Sequence, residues 1–349
     1  MKTAVTELFD IAYPIVLSGM SWISIPSMAA AVSNAGGLGI LATGALSTEE
    51  TRKAIQEVRQ LTDKPFGANA TLLFPGAREN AKVLLEEKVP VINYSLGKGD
   101  WIARESHRYG GKVIATVVNE RHALRAQEQG ADALIVTGHE AAAHGGDVAS
   151  LVLVPTIANN LSIPVIAAGG FADGRGLAAA IVLGAAGIAM GTRFMSTAES
   201  PLHRTYKNLS LEKGSGDTIY GTDFDGLGCR SMHTPAAVRA YRRGLLGLPN
   251  LFTAAVNSNR IAKMLNLPYW KLFLGVIASG WKNALTMAYL ANAFPAIECA
   301  TIKGDMAHGV LPVGQATGLI KDIPTVAELM KRIVDEAQTS LIRLRESLV

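Results

Sequence analysis

Two short glycine-bearing pairs and one histidine loop are the residues best able to do chemistry in this 349-residue chain. Gly169-Gly170 and Gly191-Thr192 each end a short apolar run. A residue without a Cβ lets backbone N–H groups come close to a phosphate, and a following helix N-terminus adds a favourable dipole. Thr192 adds a hydroxyl donor. The same glycines would also serve simply to turn the chain. Between residues 137 and 147 the text is TGHEAAAHGGD. His139, Glu140 and His144 resemble a zinc-helix signature at first sight, but that motif needs histidines four apart on one helical face. Five apart, they would point about 140° away from each other, so no metal is expected. The chemistry left to His144 is that of an imidazole held over a cofactor by the flexible Gly145-Gly146 turn. Such a group titrates near neutrality and can take a proton from a weak carbon acid. A loop histidine with no task is the plain alternative.

These groups need a scaffold, and the first two hundred residues supply one by alternation. Apolar runs occur at 14–19 (PIVLSG), 37–43, 66–72 (FGANATL), 89–94 (VPVINY), 112–117, 132–138, 164–170 (PVIAAGG) and 187–191 (GIAMG). Between them lie amphipathic stretches, such as 48–61 and 119–129, with apolar residues three and four apart. EQGADALIV and VLGAAGIAM repeat one junction, a glycine at a helix end followed by a strand. Eight strands with intervening helices predict a parallel (β/α)8 TIM barrel, with a doubly wound open sheet as the other candidate. In such a barrel the active face is the C-terminal end of the strands, and phosphate sites form after strands seven and eight. That is where the two glycine pairs fall. Asn69 and Thr71 end the third strand at the mouth, and Met20 and Trp22 follow the first, where core packing competes with cofactor contact.

After Thr192 the alternation stops. The expected organisation is a barrel from 1–200 and 310–349, closed by a helix over 325–348 with Asp322 or Thr325 as its N-cap. Residues 201–309 are expected to form a mostly helical, basic, lid-like domain. Other nucleotide signals fail: Gly37-Leu38-Gly39-Ile40-Leu41-Ala42 fits GxGxxG/A formally but runs into a strand instead of a helix, and no GxxxxGK[ST] occurs.

Composition narrows the class. Hydrophobic residues make up 49% and charged residues 18%, with mean hydropathy +0.23, which is ample for a large core. Two cysteines, Cys229 and Cys299, exclude a disulfide scaffold and a CxxC motif and suggest a reducing, cytoplasmic setting. Glu7 and Asp10 stand where a secretion signal would need its apolar run. The net charge is +4, and its source is local. Residues 226–297 hold eight Lys/Arg (Arg230, Arg239, Arg242, Arg243, Arg260, Lys263, Lys271 and Lys282) and no Asp or Glu, leaving 25 of the 33 basic residues against all 29 acidic ones. That field suits a phosphate-bearing cofactor, an acyl carrier or an anionic membrane surface, or is simply a solvated face. The segment's apolar runs, LFLGVIASGW and NALTMAYLANAFPAI, are split by Lys282 and followed by Pro295, so buried or lid-forming helices are expected, with peripheral membrane contact left open.

The stretches PIVLSGMSW, AVSNAGGLGIL, KPFGANATLL, GHEAAAHGG, PVIAAGGFADGRGLAAAIVLGAAGIAMGTRFMSTAES and GQATGLIKDIPT together resemble the nitronate monooxygenase (2-nitropropane dioxygenase) family. The resemblance extends to FMN-dependent NAD(P)H:quinone reductases and FMN-type enoyl-acyl-carrier-protein reductases, and it lapses between about 205 and 309. It implies an FMN-bound barrel with a smaller helical domain over the flavin. Gly19, Met20 and Ser21 would lie along the isoalloxazine, and Asn69, Thr71, Thr116 and Gly138 would also contact FMN. Gly169, Gly170, Gly191 and Thr192 would hold its phosphate, and His144 would be the base or substrate-positioning group. Relatives commonly read EAGGH where this chain has Glu140-Ala141-Ala142-Ala143-His144, and the added methyls would narrow the substrate side. Some quinone-reductase relatives carry a lysine near the flavin where this chain has Thr116, which removes a cation that would stabilise negative charge on reduced flavin. The implied reaction is oxidation of alkyl nitronates with O2. The alternatives are reduction of quinones or enoyl thioesters with NAD(P)H as reductant, and a non-catalytic flavin-binding or membrane-surface module. A small-molecule substrate, no nucleic acid, and a monomer or homodimer complete the expectations.

Overall fold

The structure, a computed structural model, describes residues 1–142, 144–242, 251–270, 276 and 280–348, without the side chains of 281–283. Its frame is a ring of eight parallel strands: β1 (Ile15–Leu17), β2 (Gly39–Ala42), β3 (Phe66–Thr71), β4 (Val91–Ser95), β5 (Lys112–Val117), β6 (Ala133–Thr137), β7 (Val165–Ala168) and β8 (Gly187–Met190). Each strand pairs with the next, and β8 pairs with β1. Between β1 and β2 the ring closes by a parallel bridge from Val16 to Leu38. There Leu17 N donates to Leu38 O at 2.9 Å and Leu38 N to Ile15 O at 3.0 Å. The chain is therefore a (β/α)8 barrel, and all eight expected strands occur in order.

Side chains alternate between two cores, as the two-residue period of a strand requires. Val16, Ile40, Val91, Ile114, Ile135 and Ile166 point inward and pack with Val5, Phe9 and Ile11. Val5 and Phe9 lie on the helix Ala4–Phe9. Their neighbours Ile15, Leu17, Leu41, Ile92, Val113 and Leu134 point outward under the surrounding helices. Thr48–Leu61 is helical from end to end, started by a capping box between Ser47 and Glu50. The repeated Gly-Ala junctions end their helices in the left-handed region, with φ of +88° at Gly130 and +92° at Gly184. The closing helix spans Val326–Ser347, and Thr325, not Asp322, is its N-cap. Asp322 instead accepts from the buried Arg193 at 2.7 Å and from Arg332 at 2.6 Å, tying this helix to the loop after β8.

The stretch 201–309 carries a hairpin besides its helices. Helices Arg204–Glu212, Pro235–Ala240, Leu251–Met264 and Trp281–Glu298 are present. Between the first two lies an antiparallel hairpin, β9 (Thr218–Gly221) with β10 (Cys229–Met232). The hairpin is hard to read in sequence because its strands are four residues long and β10 carries Arg230 and Ser231 in buried positions. The described basic residues of the segment have different surroundings. Arg230 is buried, Arg239 donates to Ala307 O, and Arg260 pairs with Glu298 at 2.7 Å. Arg242 and Lys263 are exposed. Arg243, Lys271 and the Lys282 side chain lie outside the described residues, as does most of LFLGVIASGW. No helix among the described residues is long and apolar enough to cross a membrane.

The GxGxxG-like run has a packing explanation. A Cβ on Gly37 would sit 2.6 Å from Ile15 O, and one on Gly39 would overlap the carbonyl of Ala29 on the helix Pro26–Asn34. These glycines let a helix and the barrel's closing strands touch. Gly39→Ala should cost about 3 kcal/mol or more, because backbone must move to admit the methyl. Gly216, with nothing within 4 Å of an added Cβ, is the neutral control. Denaturant unfolding of the two variants checks this.

Candidate active site at the barrel mouth

The C-terminal ends of the strands carry a polar layer that faces the mouth. On β3, β4 and β5, Asn69, Asn93 and Thr116 form a ladder: Asn69 Nδ2 donates to Asn93 Oδ1 at 2.8 Å, and Asn93 Nδ2 to Thr116 Oγ1 at 3.0 Å. Thr71 donates to Asn69 Oδ1 at 3.2 Å. Asn69 and Asn93 are almost wholly buried, so each must find partners or lose the free energy of an unmet hydrogen bond. The ladder meets that demand and locks the orientation of Asn69. Gly19 lies directly across from it: a Cβ there would come 2.6 Å from Asn69 Cβ.

Around Gly19 the chain turns tightly. Met20 N donates to Ser24 Oγ at 3.1 Å, and Ser24 Oγ donates to Ser18 O at 2.7 Å. Trp22 is held at φ +62°, a conformation unusual for a bulky residue, and its ring packs 4.5 Å from that of Phe294. Ser21 Oγ would be 3.1 Å from a Cβ on Gly44. The Met20 Sδ would be 3.2 Å from one on Gly191, so the loops after β1 and β8 meet.

The loops after β6, β7 and β8 form one bonded unit. Ser150 N donates to Glu140 Oε2 at 2.9 Å, and its hydroxyl lies 2.8 Å from Gly169 O. Gln315 N donates to Glu140 O at 2.8 Å, and Gly314 N donates to Thr192 Oγ1 at 2.9 Å. The Thr192 hydroxyl thus accepts from the loop before the closing helix. Gly169 and Gly170 have φ of +98° and +85°, which side chains rarely adopt. Their backbone, with Gly191 and Thr192 beside it, is a cradle that suits the phosphate of FMN. Gly138 has a different reason for its residue type, since a Cβ there would overlap Ser150 Oγ. It is buried packing for this unit.

His144 and His139 part company. His139 Nδ1 donates to Gly146 O at 2.9 Å, and its ring meets Tyr220 edge-on, with centroids 4.6 Å apart. His144 Nε2 lies 2.8 Å from Asp225 Oδ2, and the Asp225 side chain is only 5% exposed. Asp225 Oδ1 accepts from Leu227 N at 3.0 Å. A carboxylate is an acceptor, so Nε2 carries a hydrogen, and in the neutral imidazole the lone pair is then on Nδ1. His144 comes from the barrel and Asp225 from the hairpin loop, 81 residues apart. Asp225, Glu140 with Ser150, and Asn93 escape sequence reasoning. Asn93 alone leaves a trace, as a polar residue in the apolar run VPVINY. Ala143, one of the methyls expected to narrow the substrate side, lies outside the described residues.

Gly170→Val should weaken FMN retention about tenfold or more, because a branched side chain in left-handed backbone costs ~1–2 kcal/mol and its bulk enters the cradle. Flavin content after dialysis, with circular dichroism as the folding control, measures it.

The family model for nitronate monooxygenase matches residues 2–86 and 73–336. One similar protein is the (3aS,4S,5R,7aS)-5-hydroxy-7a-methyl-1-oxo-octahydro-1H-indene-4-carboxyl-CoA dehydrogenase of Rhodococcus jostii, 36% identical over 340 residues, 97% of this chain and 96% of that protein. The nitronate monooxygenase of Paraburkholderia phytofirmans is 30% identical over 394 residues, covering 99% and 98% of the two chains. Among solved structures, FabK from Thermotoga maritima superposes with a TM-score of 0.83 at 36% identity, covering 99% of each chain. With a barrel, a glycine cradle and a histidine–aspartate pair at its mouth, this chain belongs to the nitronate monooxygenase family of oxidoreductases.

Proposed function

We propose that the protein is an FMN-dependent oxidoreductase that acts on an acyl thioester with an apolar acyl group. One observation carries this reading beyond the family: a cleft at the mouth whose lining side chains are apolar but for Ser258. Gly44, Phe74 and Pro75 form its barrel side, and Ile261, Leu265 and Phe294 are among the residues of the helices above it. Ser21 adjoins Gly44 and Trp22 adjoins Phe294, so the cleft opens beside the loop assigned to the isoalloxazine. An apolar lining suits the hydrocarbon of an acyl group better than the charged head of a nitronate. The acyl-CoA relative from Rhodococcus supports the same reading by its name and identity.

In this reading FMN, when bound, supplies the two-electron acceptor or donor. The chain's own residues do the rest. Gly169, Gly170, Gly191 and Thr192 would hold the FMN phosphate, and Asn69, Thr71, Thr116 and Gly138 would be the flavin's further contacts at the mouth. The cleft takes the acyl group and excludes water from it. His144 Nδ1 takes a proton from, or returns one to, the carbon beside the activating carbonyl, and Asp225 holds Nε2–H so that the lone pair stays at Nδ1. Thr116 leaves this barrel position without the cation found in some quinone reductases.

A second reading, oxidation of alkyl nitronates with O2, is favoured by the family match and uses the same histidine to hold an anionic substrate. Anaerobic absorbance titration separates the two. Under the thioester reading, NADPH or NADH bleaches the flavin band and an enoyl-CoA restores it, or a saturated acyl-CoA bleaches it directly. Propionate 3-nitronate does neither. Bleaching by the nitronate alone, with no response to thioesters, transfers the assignment to nitronate oxidation. In either case His144→Ala should keep its FMN and lose turnover roughly 10²-fold or more, measured as kcat per bound flavin.

A further inference from the structure

The hairpin β9–β10 touches the His144 loop at two points, and one of them is a buried cation that no step above uses. Arg230 is 4% exposed. Its Nη2 donates to His139 O at 3.0 Å and its Nη1 to Thr218 Oγ1 at 3.1 Å. Its guanidinium lies 5.1 Å from the centre of the Tyr220 ring, and Tyr220 is its cross-strand partner in the hairpin. Among the described residues no carboxylate lies within ion-pair distance of it, and its Nε is buried without a hydrogen-bond partner. Burial pulls its pKa below the usual arginine value. Taking a guanidinium out of water in this way is costly, and a site retained at such a cost calls for a purpose beyond stability.

The purpose follows from what the other end of the hairpin does. His139 N donates to Val148 O at 2.9 Å and His139 Nδ1 to Gly146 O at 2.9 Å, so residues 139–148 form a closed loop with His144 inside it. Arg230 and Tyr220 grip its first residue, and Asp225, in the hairpin's turn, grips His144. Between these points Gly228 lies close enough that a Cβ on it would approach Gly145 O to 3.6 Å. One contact between two segments leaves a pivot; two fix their relative orientation. We propose that Arg230 is a positioning residue: by pinning His139 O it sets where the hairpin sits on the loop, and so delivers the Asp225 carboxylate to Nε2 of His144. The inference rests on His144 being the proton-transfer group, but it concerns which ring nitrogen carries hydrogen, which is observable without turnover.

The test is the long-range proton–nitrogen NMR correlation of the His144 ring in histidine-labelled holoprotein, its signals identified by their loss in His144→Gln. The native protein should show a single tautomer with hydrogen on Nε2. Arg230→Met should replace that pattern by one averaged over both nitrogens, at unchanged flavin content, and Arg230→Lys, which can reach one acceptor but not two, should lie between. The accompanying loss of turnover should be about 10-fold to 100-fold, as for a base displaced by a fraction of an ångström to one ångström. If Arg230→Met does not fold, Arg230→Lys decides alone. A native tautomer pattern in the folded variants overturns the proposal. The proposed function would survive that result, since it fails only in the flavin titration.

Discussion

Closing eight strands into a ring is the constraint on which the rest depends. Once Val16 and Leu38 bridge β1 to β2, every strand end has a fixed place around one mouth. The loops after β1, β6, β7 and β8, far apart along the chain, then become neighbours. Closure is itself demanding. It needs Gly37 and Gly39 where helix and strand backbones touch, and an interior filled by one residue from each alternating pair. The conformational entropy of ordering so many segments is offset chiefly by these two nested apolar cores.

At the mouth the apolar interior gives way to Asn69, Asn93 and Thr116, which satisfy one another across three strands. This layer separates a rigid core from a reactive face. The rim is less uniform. On the β6–β8 side, Glu140, Ser150, Gly169, Gly314 and Thr192 are cross-bonded. On the β2–β3 side the rim is apolar, with Phe74 and Pro75 under the helices of the addition. One mouth therefore has cross-bonded polar loops at one end and hydrocarbon at the other.

The addition after residue 200 completes the site. Its helices roof the cleft, and its hairpin brings a carboxylate to the histidine that the barrel presents. A barrel fold hosts many chemistries because strand-end loops vary independently of the core. Here part of that variation lies in a separate stretch of chain, which lines one wall of the cleft and supplies the partner of His144.

Much of this protein is written along its sequence. The eight strands, the helix caps at Ser47 and Thr325, the glycine pairs at the seventh and eighth strand ends and the isolation of His144 from any metal-binding spacing are all local properties. Each depends on side-chain period, capping chemistry or backbone freedom within a few residues. The hairpin β9–β10, the partnership of His144 with Asp225, the burial of Arg230 and the apolar cleft are decided elsewhere. Apart from the hairpin, whose partners are 8 to 14 positions apart, they join residues dozens to hundreds of positions apart, and no periodicity records such a meeting. A charged residue in sequence reads as surface, as the basic stretch did. Only packing against a particular neighbour can turn Arg230 into a buried anchor and Asp225 into the partner of a base.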